Sequence, residues 1–171
     1  GLPGSASPVT HMSLVPTQLI RLLEHRDGIQ VPASFKCGLI GGAHASPDLI
    51  QQGLAAGWPL ALTYGMTEMT SQVATAVPSE VEQKPGSVGR TLMGTKIKID
   101  SDGQILVQGP TLAPGYVSLT TPLADTEGWY HTGDLGHFDE DGDLWVTGRR
   151  SDRIVSGGIT IDATHIEDVL C

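Results

Sequence analysis

Apolar residues recur along this chain with two different periods, and the change of period divides it. From Met12 to Glu24, the residues Leu14, Val15, Leu19, Leu22 and Leu23 recur at three- and four-residue spacings, as on one face of a helix. Pro16 and Thr17 suit the start of that helix. Phe35 to Ile40 is a short apolar run that stops at Gly41-Gly42, the pattern of a buried strand ending in a turn. Ser46-Pro47-Asp48 then offers a capping hydroxyl followed by proline at the first helical position, which predicts a helix over Leu49 to Ala56. Pro59 to Tyr64 repeats the apolar strand pattern and ends at Gly65. Strand, glycine turn, helix and strand in that succession predict α/β layers, whose ligands sit at the carboxyl ends of the strands.

After Pro85 the period falls to two. Lys96 to Asp100 and Gln104 to Gln108 alternate around a Gly103-containing turn, which predicts a hairpin. Leu135 to Phe138 and Leu144 to Thr147 flank Asp139-Glu140-Asp141-Gly142-Asp143 and predict a second. Thr164 to Leu170 reads as one or two helical turns. The expected fold class is therefore α/β, with βα layers followed by a mainly antiparallel β portion.

Composition narrows the possible functions. The 171 residues make one average domain or a piece of something larger, and 22 glycines with 11 prolines favour turns over long helices. The formal net charge is -9 and no basic run exceeds Arg149-Arg150, which argues against a nucleic-acid partner. The longest nearly uncharged stretch, Leu49 to Val77, is interrupted by Gly57, Pro59 and Glu68, so no membrane span is expected. The segment GLPGSASPVT lacks the charged and apolar regions of a signal peptide and reads as a chain cut from a longer one. Cys37 and Cys171 imply neither a disulfide framework nor a zinc site, and a reducing, cytoplasmic location is the expectation.

Three segments could carry chemistry. The acidic turn invites a calcium reading, but counting from Asp139 puts Gly142 at position 4 and Arg150 at position 12, so a solvated hairpin tip is expected. Asp134, between Gly133 and Leu135, has the two acceptor oxygens that would suit a ribose diol, or it caps its own turn. The stretch YGMTEMTS, from Tyr64 to Ser71, combines an aromatic face, a glycine, a hydroxyl and a carboxylate. A purine could stack on Tyr64, Thr67 could reach a phosphate oxygen and Glu68 could hold Mg²⁺; a strand-to-loop turn with one exposed acid is the alternative.

Taken together, LIGGAHAS, LTYGMTEMTSQVAT, GSVGRTLMG, GQILVQGPTLAPGY and GWYHTGDLGHFDEDGDLWVTGRRSDRIVSGG resemble the adenylate-forming, AMP-binding superfamily over His11 to Val169. THMSLVPTQLIRLL, TYGMTEMTSQVAT and GRRSDRIVSGG are most similar to the 2-succinylbenzoate–CoA ligases of menaquinone synthesis. The resemblance implies that ATP with Mg²⁺ activates a small-molecule carboxylic acid to an acyl-adenylate, which coenzyme A then captures with release of AMP. It implies that Tyr64 stacks on adenine, with Gly65 among the nucleotide-binding residues, while Thr67 contacts the phosphate and Glu68 serves the metal. Asp134 would accept from the ribose hydroxyls and Arg149 would reach the ribose or phosphate, with Gly41, Gly42 and Ala43 beside adenine and the acyl group. Ser151 stands at the hinge, and Gly157 and Gly158 at the loop facing CoA.

The implied organisation is residues 1–84 as α/β and 85–149 as an antiparallel, β-barrel-like subdomain of a large domain. Residues 150–171 would be the hinge and the start of a small domain. The phosphate loop and the catalytic lysine of the superfamily have no counterpart in these residues, so the 171-residue chain is expected to be inactive alone. Its missing layers would leave an apolar face open to self-association as a homo-oligomer. A short non-catalytic protein that binds nucleotide or acyl-adenylate is the alternative, as is a ligase for another aryl or fatty acid.

Overall fold

The computed structural model describes residues 8–25, 30–117, 121–156 and 159–162, with 153–156 and 159–162 described by backbone alone. Gly157, Gly158 and the helical turns expected over Thr164 to Leu170 lie outside the described residues. Among the described residues no helix is long and apolar enough to cross a membrane.

A five-stranded sheet carries the first half, in the order β1 (His11–Leu14), β2 (Cys37–Ile40), β3 (Leu60–Gly65), β4 (Gln72–Ala76) and β5 (Arg90–Thr91). The first three strands are parallel, linked by α1 (Pro16–Glu24) and α2 (Pro47–Ala55), while β4 and β5 run antiparallel. Helix α2 starts as its sequence predicts, Leu49 N donating to Ser46 Oγ at 3.3 Å with Pro47 in the first turn. Helix α1 starts at Pro16, as Pro16 and Thr17 suggest, while the apolar spacing from Met12 to Leu14 ahead of it belongs to a strand. Met12 to Leu14 pair with Gly38 to Ile40, and Val15 is extended at φ -91, ψ 158, the conformation a following proline favours. Gln18 Oε1 accepts from Val15 N at 3.0 Å and satisfies a donor of the helix entrance. Leu19, Ile50, Leu60 and Val81, the last on α3 (Pro78–Gln83), are buried in one core together with Ile40 and Trp58.

The second sheet is an antiparallel meander of β6 (Lys96–Ile99), β7 (Gln104–Gln108), β8 (Tyr130–Phe138) and β9 (Leu144–Arg149). Irregular register between Gln104 and Leu106, and between Leu135 and Gly136, bends it into the curled half-barrel expected. Tyr64, Met69, Val73 and Ala74 of the first half pack with Ile105, Val107 and Leu144 of the second in a shared core. Leu144 also exchanges backbone hydrogen bonds with Val88 and Gly89. The chain then turns through Arg150–Asp152 into a backbone hairpin of β10 (Arg153–Ser156) and β11 (Ile159–Asp162).

The acidic hairpin tip departs from the solvated turn expected. Lys84, at the end of α3, places Nζ 2.8, 2.6 and 2.7 Å from carboxylate oxygens of Asp139, Asp141 and Asp143. Asp139 Oδ1 accepts the amides of Asp141 and Asp143, and its Oδ2 accepts Trp145 Nε1 at 3.0 Å. The cation these carboxylates hold is thus a lysine, and it ties the helical layer to the second sheet. Lys84, then Trp145, keep the Asp139 carboxyl well below the usual range. A depressed carboxyl stabilises the fold above its unfolded pKa of about 3.9 and stops doing so as pH falls through the folded value. The melting temperature of the wild-type chain should therefore drop more steeply than that of Lys84→Met between roughly pH 5 and pH 2, as calorimetry across that range would show.

Candidate functional site

The carboxyl ends of β1, β2 and β3 open onto one cleft of about 640 Å³, within the usual size of a small-molecule site. Its walls include Leu14 and Val15, Gly41 and Gly42, and Gly65 through Glu68, with Arg149 entering from the second sheet. Two glycines set its shape. A Cβ on Gly41 would stand 2.6 Å from Thr63 Cγ2, and one on Gly65 only 2.2 Å from Ser71 O. The chain doubles back there, with Met66 N donating to Ser71 O at 2.9 Å, and only glycine admits so close an approach.

Beside the cleft lies a buried polar cluster. The Tyr64 hydroxyl donates to Asp134 Oδ2 at 2.7 Å, and Arg149 Nε donates to Asp134 Oδ1 at 2.7 Å. Asp134 and Arg149 face each other across β8 and β9, so adjacent strands build the ion pair. Asp134 is 7% exposed and Tyr64 9%; neither lines the cleft, which Arg149 reaches with a side chain 63% exposed. The loop before Asp134 is fixed in turn. Gly133 N donates to Gln104 Oε1, Thr132 Oγ1 donates to Ile105 O, and Asp134 N donates to Thr132 Oγ1. Burial, and then the Asp134 charge, push the Tyr64 phenol far up, so it stays a donor. The Arg149 guanidinium is likewise pushed up by Asp134.

Glu68 lies in the short 3₁₀ turn Thr67–Met69 and lines the cleft. Its Oε1 accepts the Tyr116 hydroxyl, which is the main reason its carboxyl is held below the ordinary range. Thr67 is exposed on the same wall. An ionised carboxylate beside a hydroxyl on an open wall is the oxygen donor set that a hard divalent cation accepts.

The structure brings Gly41, Gly42, Gly65, Thr67, Glu68 and Arg149 to the cleft, with Tyr64 and Asp134 just behind Arg149. Ala43 sits in the exposed turn after the glycines and does not line it. Ser151 is exposed in the Arg150–Asp152 turn, its hydroxyl bonded to Asp152. Sequence reading gave no role to Ser13, Gln18, Ser71 and Gln72, which also line the cleft, nor to Tyr116. The GPTLAPGY segment that carries Tyr116 supported the resemblance, but spacing alone does not pair residue 116 with residue 68.

Parallel strands end in a glycine-shaped cleft with an acid, a hydroxyl and an arginine on its walls, at the carboxyl edge where α/β sheets bind their ligands. The AMP-binding enzyme family profile matches residues 5–117, well over half of the chain, and the chain belongs to that family. It is 40% identical over 173 residues to a 2-succinylbenzoate–CoA ligase of Geobacillus sp. (strain WCH70), covering 95% of this chain and 35% of the relative. The chain thus spans about a third of the length of the curated relatives it matches. Among solved structures it is similar to o-succinylbenzoate CoA synthetase of Bacillus subtilis with its acyl-adenylate intermediate, at 38% identity and a TM-score of 0.85. That match covers 95% of this chain and 35% of the other. An amide bond synthetase of Marinactinospora thermotolerans is similar at 29% identity and a TM-score of 0.82, covering 95% and 36%.

Gly65→Ala puts a methyl group against backbone that has no rotamer to escape into. It is expected to destabilise the chain by at least about 1–3 kcal/mol, and thermal unfolding should show the lower midpoint.

Proposed function

We propose that these residues are the nucleotide-binding portion of a longer acid–CoA ligase that activates a carboxylate with ATP, with 2-succinylbenzoate as the acid. The observation that carries the proposal is the cleft at the ends of β1 to β3, where Glu68, Thr67 and Arg149 converge. The relatives named 2-succinylbenzoate–CoA ligase, at 39–40% identity, support the choice of acid. The Bacillus subtilis enzyme has a structure with ATP and a magnesium ion and one with AMP, which supports the choice of nucleotide and metal.

In the proposed reaction a carboxylate oxygen attacks the α-phosphorus of ATP and the bond to the β-phosphate oxygen breaks, giving acyl-adenylate and pyrophosphate. The CoA sulfur then attacks the acyl carbon, and the carbon–oxygen bond to AMP breaks. No protein nucleophile is required, so the residues position the reactants and balance charge. Asp134 accepts from the ribose hydroxyls: its two oxygens have about four lone-pair sites, and Tyr64 and Arg149 use two of them. Because Arg149 stands between Asp134 and the cleft, it must share the carboxylate with the ribose or yield its place. Its remaining N–H donors then face a phosphate or ribose oxygen. Tyr64 is buried behind the cleft wall, so it serves the nucleotide by keeping Asp134 oriented through its hydroxyl rather than by presenting an open ring face to adenine. Gly41, Gly42 and Gly65 let backbone pass close to the base and the acyl group, with Ala43 in the turn that follows the first two. Thr67 donates to a phosphate oxygen, and Glu68 holds the divalent cation. Bound there, magnesium would supply charge neutralisation on the phosphates.

The same reading divides the chain into residues 1–84 and 85–149 of a large domain, with 150–171 as hinge and start of a small one. Ser151 lies at the hinge, and Gly157 and Gly158 face CoA. A cytoplasmic location fits these substrates, and self-association fits a chain whose layers are completed elsewhere. The likeness to an amide bond synthetase favours one second reading, in which an amine rather than the CoA thiol accepts the acyl group.

The full-length protein, given ATP, CoA and a panel of aryl and alkyl acids, should release AMP and pyrophosphate and form a thioester with 2-succinylbenzoate. Amide formation with an added amine would support the second reading, and no product with any acid would leave a non-catalytic binding protein. The 171-residue chain alone should show no ATP–pyrophosphate exchange. In the full-length protein Asp134→Asn should raise the ATP dissociation constant about tenfold or more. An unchanged constant would remove Asp134 from the ribose.

A further inference from the structure

The loop at residues 109–117 holds the Thr67–Thr70 turn at three points. Ala113 N donates to Glu68 O at 2.8 Å, Thr70 Oγ1 donates to Thr111 O at 2.9 Å, and the Tyr116 hydroxyl meets Glu68 Oε1. The turn needs holding. Thr70 is β-branched yet sits in the left-handed region at φ 71, ψ -29, a conformation such residues rarely adopt unless their surroundings impose it. One of these contacts fixes the backbone of the turn and one the side chain of Thr70. The third, from Tyr116, fixes the one side chain on the turn that carries charge, and Tyr130 on β8 joins the same cluster.

We propose that Tyr116 is a positioning residue for Glu68, holding the carboxylate through Oε1 so that its remaining lone pairs face a nucleotide-bound divalent cation. The inference rests on Glu68 being the cation-side carboxylate. A free glutamate side chain samples several rotamers, and fixing them on ion binding costs entropy. A phenol that already holds one oxygen lowers that cost. Tyr116 itself is 47% exposed and, among the described residues, its hydroxyl meets only the side chains of Glu68 and Tyr130, so removing the hydroxyl should leave the packing of the loop intact.

Binding without turnover tests the proposal. The full-length protein, with acid and CoA omitted, is titrated calorimetrically with ATP plus Mg²⁺, with ATP plus Mn²⁺, and with AMP in the absence of metal. Tyr116→Phe is expected to weaken both metal–ATP titrations about tenfold and to leave AMP binding unchanged. Glu68→Gln should weaken the same titrations, and the double variant should be no weaker than Glu68→Gln alone, because the hydroxyl then has no carboxylate to orient. Val117→Ala, on the same loop, should match wild type throughout. Wild-type metal–ATP affinity in Tyr116→Phe, an equal loss of AMP and metal–ATP binding, or additive effects in the double variant would each overturn the positioning role. Wild-type metal–ATP affinity in Glu68→Gln would instead overturn the assignment of Glu68, and the role of Tyr116 with it.

Discussion

One buried carboxylate joins the parts of this protein. Asp134 on β8 takes the hydroxyl of Tyr64 from the end of β3 and the guanidinium of Arg149 from the end of β9. Those three residues come from the first sheet, the second sheet and the approach to the Arg150–Asp152 turn. A carboxyl group only 7% exposed needs such partners, because its desolvation cost must be offset by charge and hydrogen bonds. Removing either partner would therefore unsettle the geometry of the cleft as well as the local bond.

The remaining ties between the two sheets act on the same relation. Lys84 clamps the β8–β9 hairpin tip to the end of α3, and Leu144 is hydrogen-bonded to the segment that precedes β5. Tyr64, Ile105, Val107 and Leu144 share one apolar core beneath them. With the sheets fixed in this way, Arg149 can enter a cleft otherwise built by the ends of β1 to β3. The 109–117 loop adds the last constraint by supporting the strained turn that carries Glu68.

Where a pattern is local, it could be read from residues alone. The alternation of KIKI and QILVQ around a glycine turn gave the β6–β7 hairpin, and Ser46-Pro47 gave the start of α2. Met12 to Leu14 was hidden because Leu14 and Val15 extend the helical spacing of α1 backward, and only pairing with β2 makes that segment a strand. Strand β4, QVATA, escaped notice because its threonine and glutamine break the apolar run, although Val73 and Ala74 are fully buried. The acidic tip looked solvated because nothing local reveals that Lys84, 55 residues away, lies at its centre. The candidate site was legible as short motifs resembling those of a family; the bonds that join them, Tyr64 to Asp134 and Tyr116 to Glu68, span 70 and 48 residues. Contacts so distant in sequence leave no periodic trace.

The function proposed for the full-length protein has this cleft position a carboxylate to attack the α-phosphorus of ATP. The most direct test follows the attacking oxygen. The full-length protein would be given 2-succinylbenzoate labelled with ¹⁸O in its carboxyl groups, together with ATP and CoA, and the nucleotide product examined by mass spectrometry. The account predicts AMP carrying one ¹⁸O atom, since the carboxylate oxygen that bonds to phosphorus stays with AMP when the acyl group departs. Unlabelled AMP, or ADP with the label in inorganic phosphate, would contradict it.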